Sequence, residues 1–288
     1  MPLLLDLSLP SAQAADRKAL PTGSVCPYLR IAILNLMPMT VVTEADFIRL
    51  LADCEPMVEV IWMKLRTHTP RHVSAEHMDT YYRFFDDICT EHIDGLIVTG
   101  APVEQLDFSE VTYWTELSDI FRWATTHVKS TVYICWAAQA GLYFHYGVPK
   151  YPLAKKMFGI FPQKICDPSS PLFTGIDTPF LMPHSRHTEI HEADVRSIET
   201  LHIEAISPET GISIVTARNR AEIYITGHTE YAADTLHREY IRDMGKRNDV
   251  DLPLHYYPHD NPALEPVWTW HEAAQRLFSN WINCILKH

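Results

Sequence analysis

The sequence predicts an α/β protein built on an open, mostly parallel sheet flanked by helices. Three observations predict it. Short apolar runs of strand length recur through the first half of the chain, stretches of helical periodicity separate them, and the connections are short and marked by Gly or Pro. Strand–helix–strand order with short links implies right-handed βαβ crossovers and hence parallel pairing.

Leu29 to Leu36 is the first buried strand, ended by Met37-Pro38. Thr43 is placed to cap a helix running from Glu44 to Leu51. Val58 to Met63 is a second strand, followed by a helical stretch around His77 to Asp87. Asp94 to Gly100 is a third strand ending in Gly, and the amphipathic stretch Trp114 to His127 is a helix. Ser130 to Cys135 is a fourth strand and Ala137 to Tyr146 the helix that follows it. Beyond this point Phe180 to Met182, Ile212 to Val215 and Glu222 to Thr226 are strand candidates. The Pro-rich stretch Leu252 to Trp268 is expected to be an ordered surface loop, and His271 to Leu286 a closing helix. Residues 1–28, with Pro2, Pro10, Pro21 and Pro27, are expected to form an irregular arm ahead of a single α/β domain over 29–288.

Composition narrows the function. The 288 residues are 47% apolar and 21% charged, an ordinary globular balance, with a core large enough to need no disulfide or metal staple. The net charge of -12 and the lack of a basic run argue against a nucleic-acid partner. An anionic ligand such as a CoA thioester would need a local pocket of cations and helix N-termini. The six cysteines, at 26, 54, 89, 135, 166 and 284, form no C-x-x-C pair, so no metal site or redox motif is expected. Their scatter suits reduced thiols in the cytosol. Met1 to Ala15 lacks the basic start of a signal peptide, and no apolar run approaches the ~20 residues of a membrane span. A soluble, cytoplasmic protein is expected.

Chemistry concentrates at strand ends. Cys135 stands where a buried strand meets a helix, followed by the small residues of Ala137-Ala138 that permit a tight turn. Backbone N–H groups at that helix start, beginning with Trp136, are placed to hold an oxyanion and favour a thiolate. A buried structural thiol is the commoner fate of an unpaired cysteine, so the position takes its weight from its companions. His228 and Glu230 follow another strand, spaced so that the imidazole can take a proton and the carboxylate can orient it. Ligands of open α/β sheets bind beyond the carboxyl ends of the strands, where both groups lie. Gly100 and Ala101 end a third strand and offer further backbone N–H donors. His184-Ser185-Arg186, taken alone, is expected to be a solvated turn.

These segments together resemble the homoserine O-acyltransferase family. The resemblance rests on Ile33 to Pro38, Asp94 to Pro102, Ile134-Cys135-Trp136, Lys156-Met157-Phe158-Gly159, His184-Ser185-Arg186, Gly227 to Tyr231, Pro258 to Pro262 and Leu277 to Trp281, in order from about residue 29 to 283. It implies a class I glutamine-amidotransferase-like, flavodoxin-like fold. It implies a ping-pong reaction in which Cys135 carries the acyl group, His228 is the base and Glu230 orients it. Lys156, Ser185 and Arg242 match positions that hold the amino acid. The residue at Glu104 is tied to acyl choice: Glu accompanies acetyl transfer, where a carboxylate would repel the second carboxylate of a succinyl group. The resemblance thus implies acetyl-CoA as co-substrate with no bound cofactor, a small amino-acid acceptor, and a homodimer.

Three stretches depart from the family pattern. Thr40 and Asp46 stand in place of a Lys and a Gln, Phe161-Pro162-Gln163 replaces Phe-Glu-His, and Trp268 to Ala273 replaces Trp-Arg-Ser-His-Gly-Asn. These leave L-serine open beside L-homoserine as acceptor, since one methylene is worth only ~1–3 kcal/mol in a pocket. Succinyl transfer, a glutaminase on the same fold, and a ligand-binding relative without activity are the other readings.

Overall fold

The computed structural model describes residues 3–21, 28–54, 56–70, 72–245 and 250–287. Cys26 and Pro27, expected in the N-terminal arm, lie outside these. The chain opens with β1 (Leu3–Leu5), a 3₁₀ segment (Pro10–Lys18) and β2 (Ala19–Pro21). The expected irregular arm is therefore corrected: β1 pairs in parallel with β2 and with the second strand of the domain, and Leu3, Leu4 and Leu5 are buried. The three leucines gain core contact there, which overrides the prolines around them.

Next come β3 (Leu29–Leu34), α1 (Thr40–Leu51), β4 (Val58–Lys64), α2 (Ala75–Tyr81), β5 (Tyr82–Phe84) and α3 (Phe85–Ile88). Helix α1 starts three residues before its expected cap, and Met39 occupies the N-cap. The expected helix over His77 to Asp87 is broken at Tyr82. That residue turns extended and pairs with Trp62 of β4, so its ring reaches the core and its hydroxyl reaches Glu44, 2.8 Å away. Then follow β6 (Gly95–Val98), α4 (Trp114–His127), β7 (Ser130–Ile134) and α5 (Trp136–Tyr146), close to the expected bounds.

The second half holds most of what the sequence pattern did not show. A 15-residue strand β8 (Tyr151–Ile165) pairs antiparallel with β9 (Phe180–Glu189). After α6 (Glu192–Arg196) come β10 (His202–Ser207), β11 (Gly211–Ala217), β12 (Glu222–Ile225), α7 (Thr235–Met244) and α8 (His271–Lys287). The expected solvated turn at His184 to Arg186 is instead the middle of β9, with His184 and Arg186 fully buried.

One sheet results, in the order β2-β1-β4-β3-β6-β7-β12-β11-β10-β8-β9, with β5 on β4. Pairing is parallel from β2 to β12 and antiparallel from β12 outward. Alternation along the strands builds two cores. Ile31, Ile33, Val60 and Ile97 pack under α1 and α8; Ala32, Leu34, Ile61 and Val98 pack under α4 and α5. A third cluster, including Phe158, Tyr231, Tyr240, Tyr257 and Trp270, ties α7 and the 252–270 loop to β8.

Candidate active site

Three adjacent parallel strands, β6, β7 and β12, end on the same edge of the sheet and deliver Gly100, Cys135 and His228. Cys135 sits in the turn between β7 and α5 with φ 53° and ψ −114°. A side chain there is strained, and such strain collects at functional positions. The turn is held by the Cys135 N–H, which donates to Ile225 O at 2.7 Å and so locks the end of β7 to the end of β12. Cys135 as a whole is 7% exposed. It faces a cavity of about 1130 Å³. The Trp136 and Ala137 amides that open α5 lack intrahelical partners by the geometry of any helix start and directly follow Cys135 in the chain.

His228 is oriented from both ends. Its backbone N–H donates to Pro183 O of β9 at 2.8 Å, and its Nδ1 is 2.8 Å from Glu230 Oε1. With Nδ1 engaged, Nε2 is the nitrogen left for the thiol. The ring stacks on Tyr231 at a centroid distance of 4.1 Å. Gly227 lets β9 come this close, since a Cβ there would stand 2.7 Å from Pro183 O. Burial alone would lower the His228 pKa. The Cys135 and Glu230 charges, with hydrogen bonds to both, hold it well above the usual histidine range. The point where a Cβ on Gly100 would stand is 3.3 Å from Cys135 Cβ and 3.5 Å from His228 Cε1. Glycine leaves that space free next to the reacting atoms. Ala101 lines the same cavity.

A carboxyl lies behind the trio. Glu230 Oε2 is buried and has no hydrogen-bond partner among the described residues. Asp46, one of the departures from the family pattern, is buried in α1, with Arg49 Nη1 at 3.1 Å. Burial pushes its carboxyl up to about 7 against the pull of Arg49, and the Glu230 charge adds to the push.

The rest of the cavity lining includes polar groups of mixed charge. Lys156 Nζ lies 3.2 Å from Asp243 Oδ2 and 3.5 Å from Glu239 Oε2. Ser185 Oγ donates to Glu239 Oε2 at 2.5 Å, and the Tyr231 hydroxyl donates to Glu239 Oε1 at 2.9 Å. Arg242 Nε donates to Asp243 Oδ1 at 2.8 Å. All of these residues line the cavity with Cys135 and His228. Glu104 does too, and its Oε2 accepts the His187 backbone N–H at 2.9 Å.

The predicted residues Cys135, His228, Glu230, Lys156, Ser185, Arg242, Glu104, Gly100 and Ala101 thus gather around one cavity or directly behind it, and Trp136 begins the adjoining helix. Sequence reasoning missed Glu239 and Asp243. Their signal was the i,i+4 spacing of Glu239 and Asp243 within α7, a helix that went unread.

The family described as homoserine O-succinyltransferase matches residues 16–288. A Bacteroides thetaiotaomicron protein named homoserine O-acetyltransferase is 50% identical over 255 residues, covering 88% of this chain and 84% of its own. A Clostridium beijerinckii protein of the same name is 43% identical over 297 residues, covering 100% of this chain and 97% of its own. In overall fold the chain resembles a glutamine amidotransferase from Thermotoga maritima, with TM-score 0.58 at 9% identity over 91% of this chain and 100% of that one. A glutamine amidotransferase from Methylobacillus flagellatus gives 0.54 at 12% identity, over 88% and 94%. At these identities the likeness concerns fold alone.

Proposed function

The chain belongs to the homoserine O-succinyltransferase family of acyltransferases, and from that premise we propose that it transfers an acetyl group from acetyl-CoA to the side-chain hydroxyl of L-homoserine through a Cys135 thioester. The observation that carries this reading is one cavity lined by two chemically different sets of groups. One is a thiol paired with an oriented imidazole, and the other is a set of cations and carboxylates suited to an amino-acid zwitterion.

In the first half-reaction the Cys135 sulfur attacks the thioester carbonyl and the Gly100, Ala101 and Trp136 amides receive the oxyanion. The carbon–sulfur bond to CoA breaks, and the departing thiolate takes the proton from the His228 imidazolium. In the second, neutral His228 takes the proton of the acceptor hydroxyl, and the oxygen attacks the acyl-enzyme. The Cys135 thiolate leaves, now beside an imidazolium whose charge Glu230 supports. Arg242 and Lys156 suit the acceptor carboxylate, and Glu239 suits its ammonium.

Acetyl is favoured as donor because Glu104 places a carboxylate on the cavity wall, and because the relatives cited above are named acetyltransferases. Homoserine is favoured over serine because the departing positions Thr40, Asp46, Gln163 and Trp268 to Ala273 lie outside the cavity lining. Among the described residues no helix is long and apolar enough to cross a membrane. The free thiols there and a CoA substrate together suit the cytosol.

Incubation with acetyl-CoA alone should add one acetyl group to the Cys135 peptide by mass. Homoserine should then discharge it with release of O-acetylhomoserine. An unmodified Cys135, or discharge by serine and not by homoserine, would overturn the reading.

A further inference from the structure

The wall that carries Glu104 is a turn, residues 101–106, that follows β6 and has little regular structure to hold it. Its one internal backbone bond runs from Leu106 N–H to Val103 O at 3.1 Å. A flexible turn is a poor place for a carboxylate that must discriminate between acyl groups, because a charge that swings aside no longer repels.

The turn is pinned from outside by Lys150. This residue follows α5, just past the left-handed Gly147 that ends the helix, and leads into β8. Its Nζ donates to the backbone carbonyl of Glu104 and, at 2.6 Å, to that of Leu106. The ammonium also lies over the Phe108 ring, 5.0 Å from the centroid. Its hydrogen bonds therefore go to carbonyls of the turn and not to a carboxylate. Burial lowers its pKa while the charges of Asp107, Glu104 and Glu110 oppose that. Glu104 is thus fixed twice, through its backbone by Lys150 and through its carboxylate by the His187 N–H of β9.

We propose that Lys150 is a positioning residue for acyl-donor choice, holding the turn so that Glu104 presents its carboxylate to the cavity. It rests on the reading of Glu104 as the group that excludes succinyl. Lys150 touches neither substrate nor reacting atom. It acts by removing the freedom of the two carbonyls that flank Gln105. Loss of the ammonium would remove the donor that ties both carbonyls together, and the turn would relax toward solvent with Glu104 on it.

The test compares acetyl-CoA with succinyl-CoA as sole donor, read as acylation of Cys135 by mass and as kcat/KM, in the full-length chain. Glu104→Gly and Lys150→Met should each lower the acetyl-to-succinyl preference by about tenfold or more. Lys150→Arg should restore most of it, because a guanidinium fork can still reach two carbonyls. If Glu104→Gly lowers the preference and Lys150→Met does not, the role of Lys150 is overturned and that of Glu104 stands. If Glu104→Gly leaves the preference unchanged, the reading of Glu104 fails and the inference fails with it. Equal loss in Lys150→Met and Lys150→Arg would also sink it, since a clamp should accept the second cation. Should Lys150→Met unfold early on heating, Lys150→Gln carries the same comparison.

Discussion

The two halves of the sheet reach the same cavity by different physics. In the parallel half, Cys135 is set by its own turn: one residue at positive φ between β7 and α5, fastened by a single hydrogen bond to β12. In the antiparallel half, Ser185 is set by a long strand pairing and then bonded to Glu239, 54 residues further along. The nucleophile is a local feature with long-range support, whereas the acceptor groups come together only after distant segments meet. Acyl loading and acyl discharge should accordingly respond to different substitutions.

The largest effect expected from that division is at Arg242. Arg242→Ala should raise the acceptor KM by about 100-fold, with the loss falling on discharge of the acyl-enzyme and not on its formation. Single-turnover measurement of each half-reaction checks this, and a matching loss in acyl loading would dissolve the separation between the halves.

The antiparallel half should also be the more sensitive to backbone crowding. Gly159 of β8 has φ 149°, and a Cβ there would stand 2.3 Å from Leu254 O, where the loop bridges to the strand. Gly159→Ala is expected to cost about 2 kcal/mol or more of stability, read by denaturant unfolding. A neutral result would mean that the loop yields freely and does not help hold β8.

The smallest expected effect sharpens the picture of the parallel half. The Asp46 carboxyl titrates near 7 in the folded protein, above its ordinary value, so between those values the native state holds a proton that the unfolded state has lost. Stability should fall as pH rises through this window, by about 1 kcal/mol between about pH 6 and about pH 7. Thermal unfolding across that range should show the loss in the wild-type chain and lack that component in Asp46→Asn. A slope shared by both would assign it elsewhere.

Legibility followed the same division. The strands around Ile33, Ile61, Ile97 and Val132 and the helix Trp114–His127 were plain because each is a continuous apolar or amphipathic run. Strand β8 was not, because Pro152, Lys155, Lys156 and Gly159 interrupt any alternation and its outer part is partly exposed. Helix α7 was missed because polar and charged residues dominate it, and its burial is confined to Thr235, Leu236 and Tyr240. The first strand was hidden among prolines, and only its pairing with β4 gives Leu3 to Leu5 a reason to be extended.

The sequence by itself determined the α/β class, the parallel pairing of the first strands and the strand-to-helix turn that exposes Cys135, because periodicity and turn chemistry act over a few residues. Only the tertiary structure decided that His228 would be gripped by β9, that Glu239 would join Ser185 and Lys156, and that Lys150 would reach the turn carrying Glu104. Those contacts join residues tens of positions apart. Such pairings depend on which strands share an edge, and no local pattern records that.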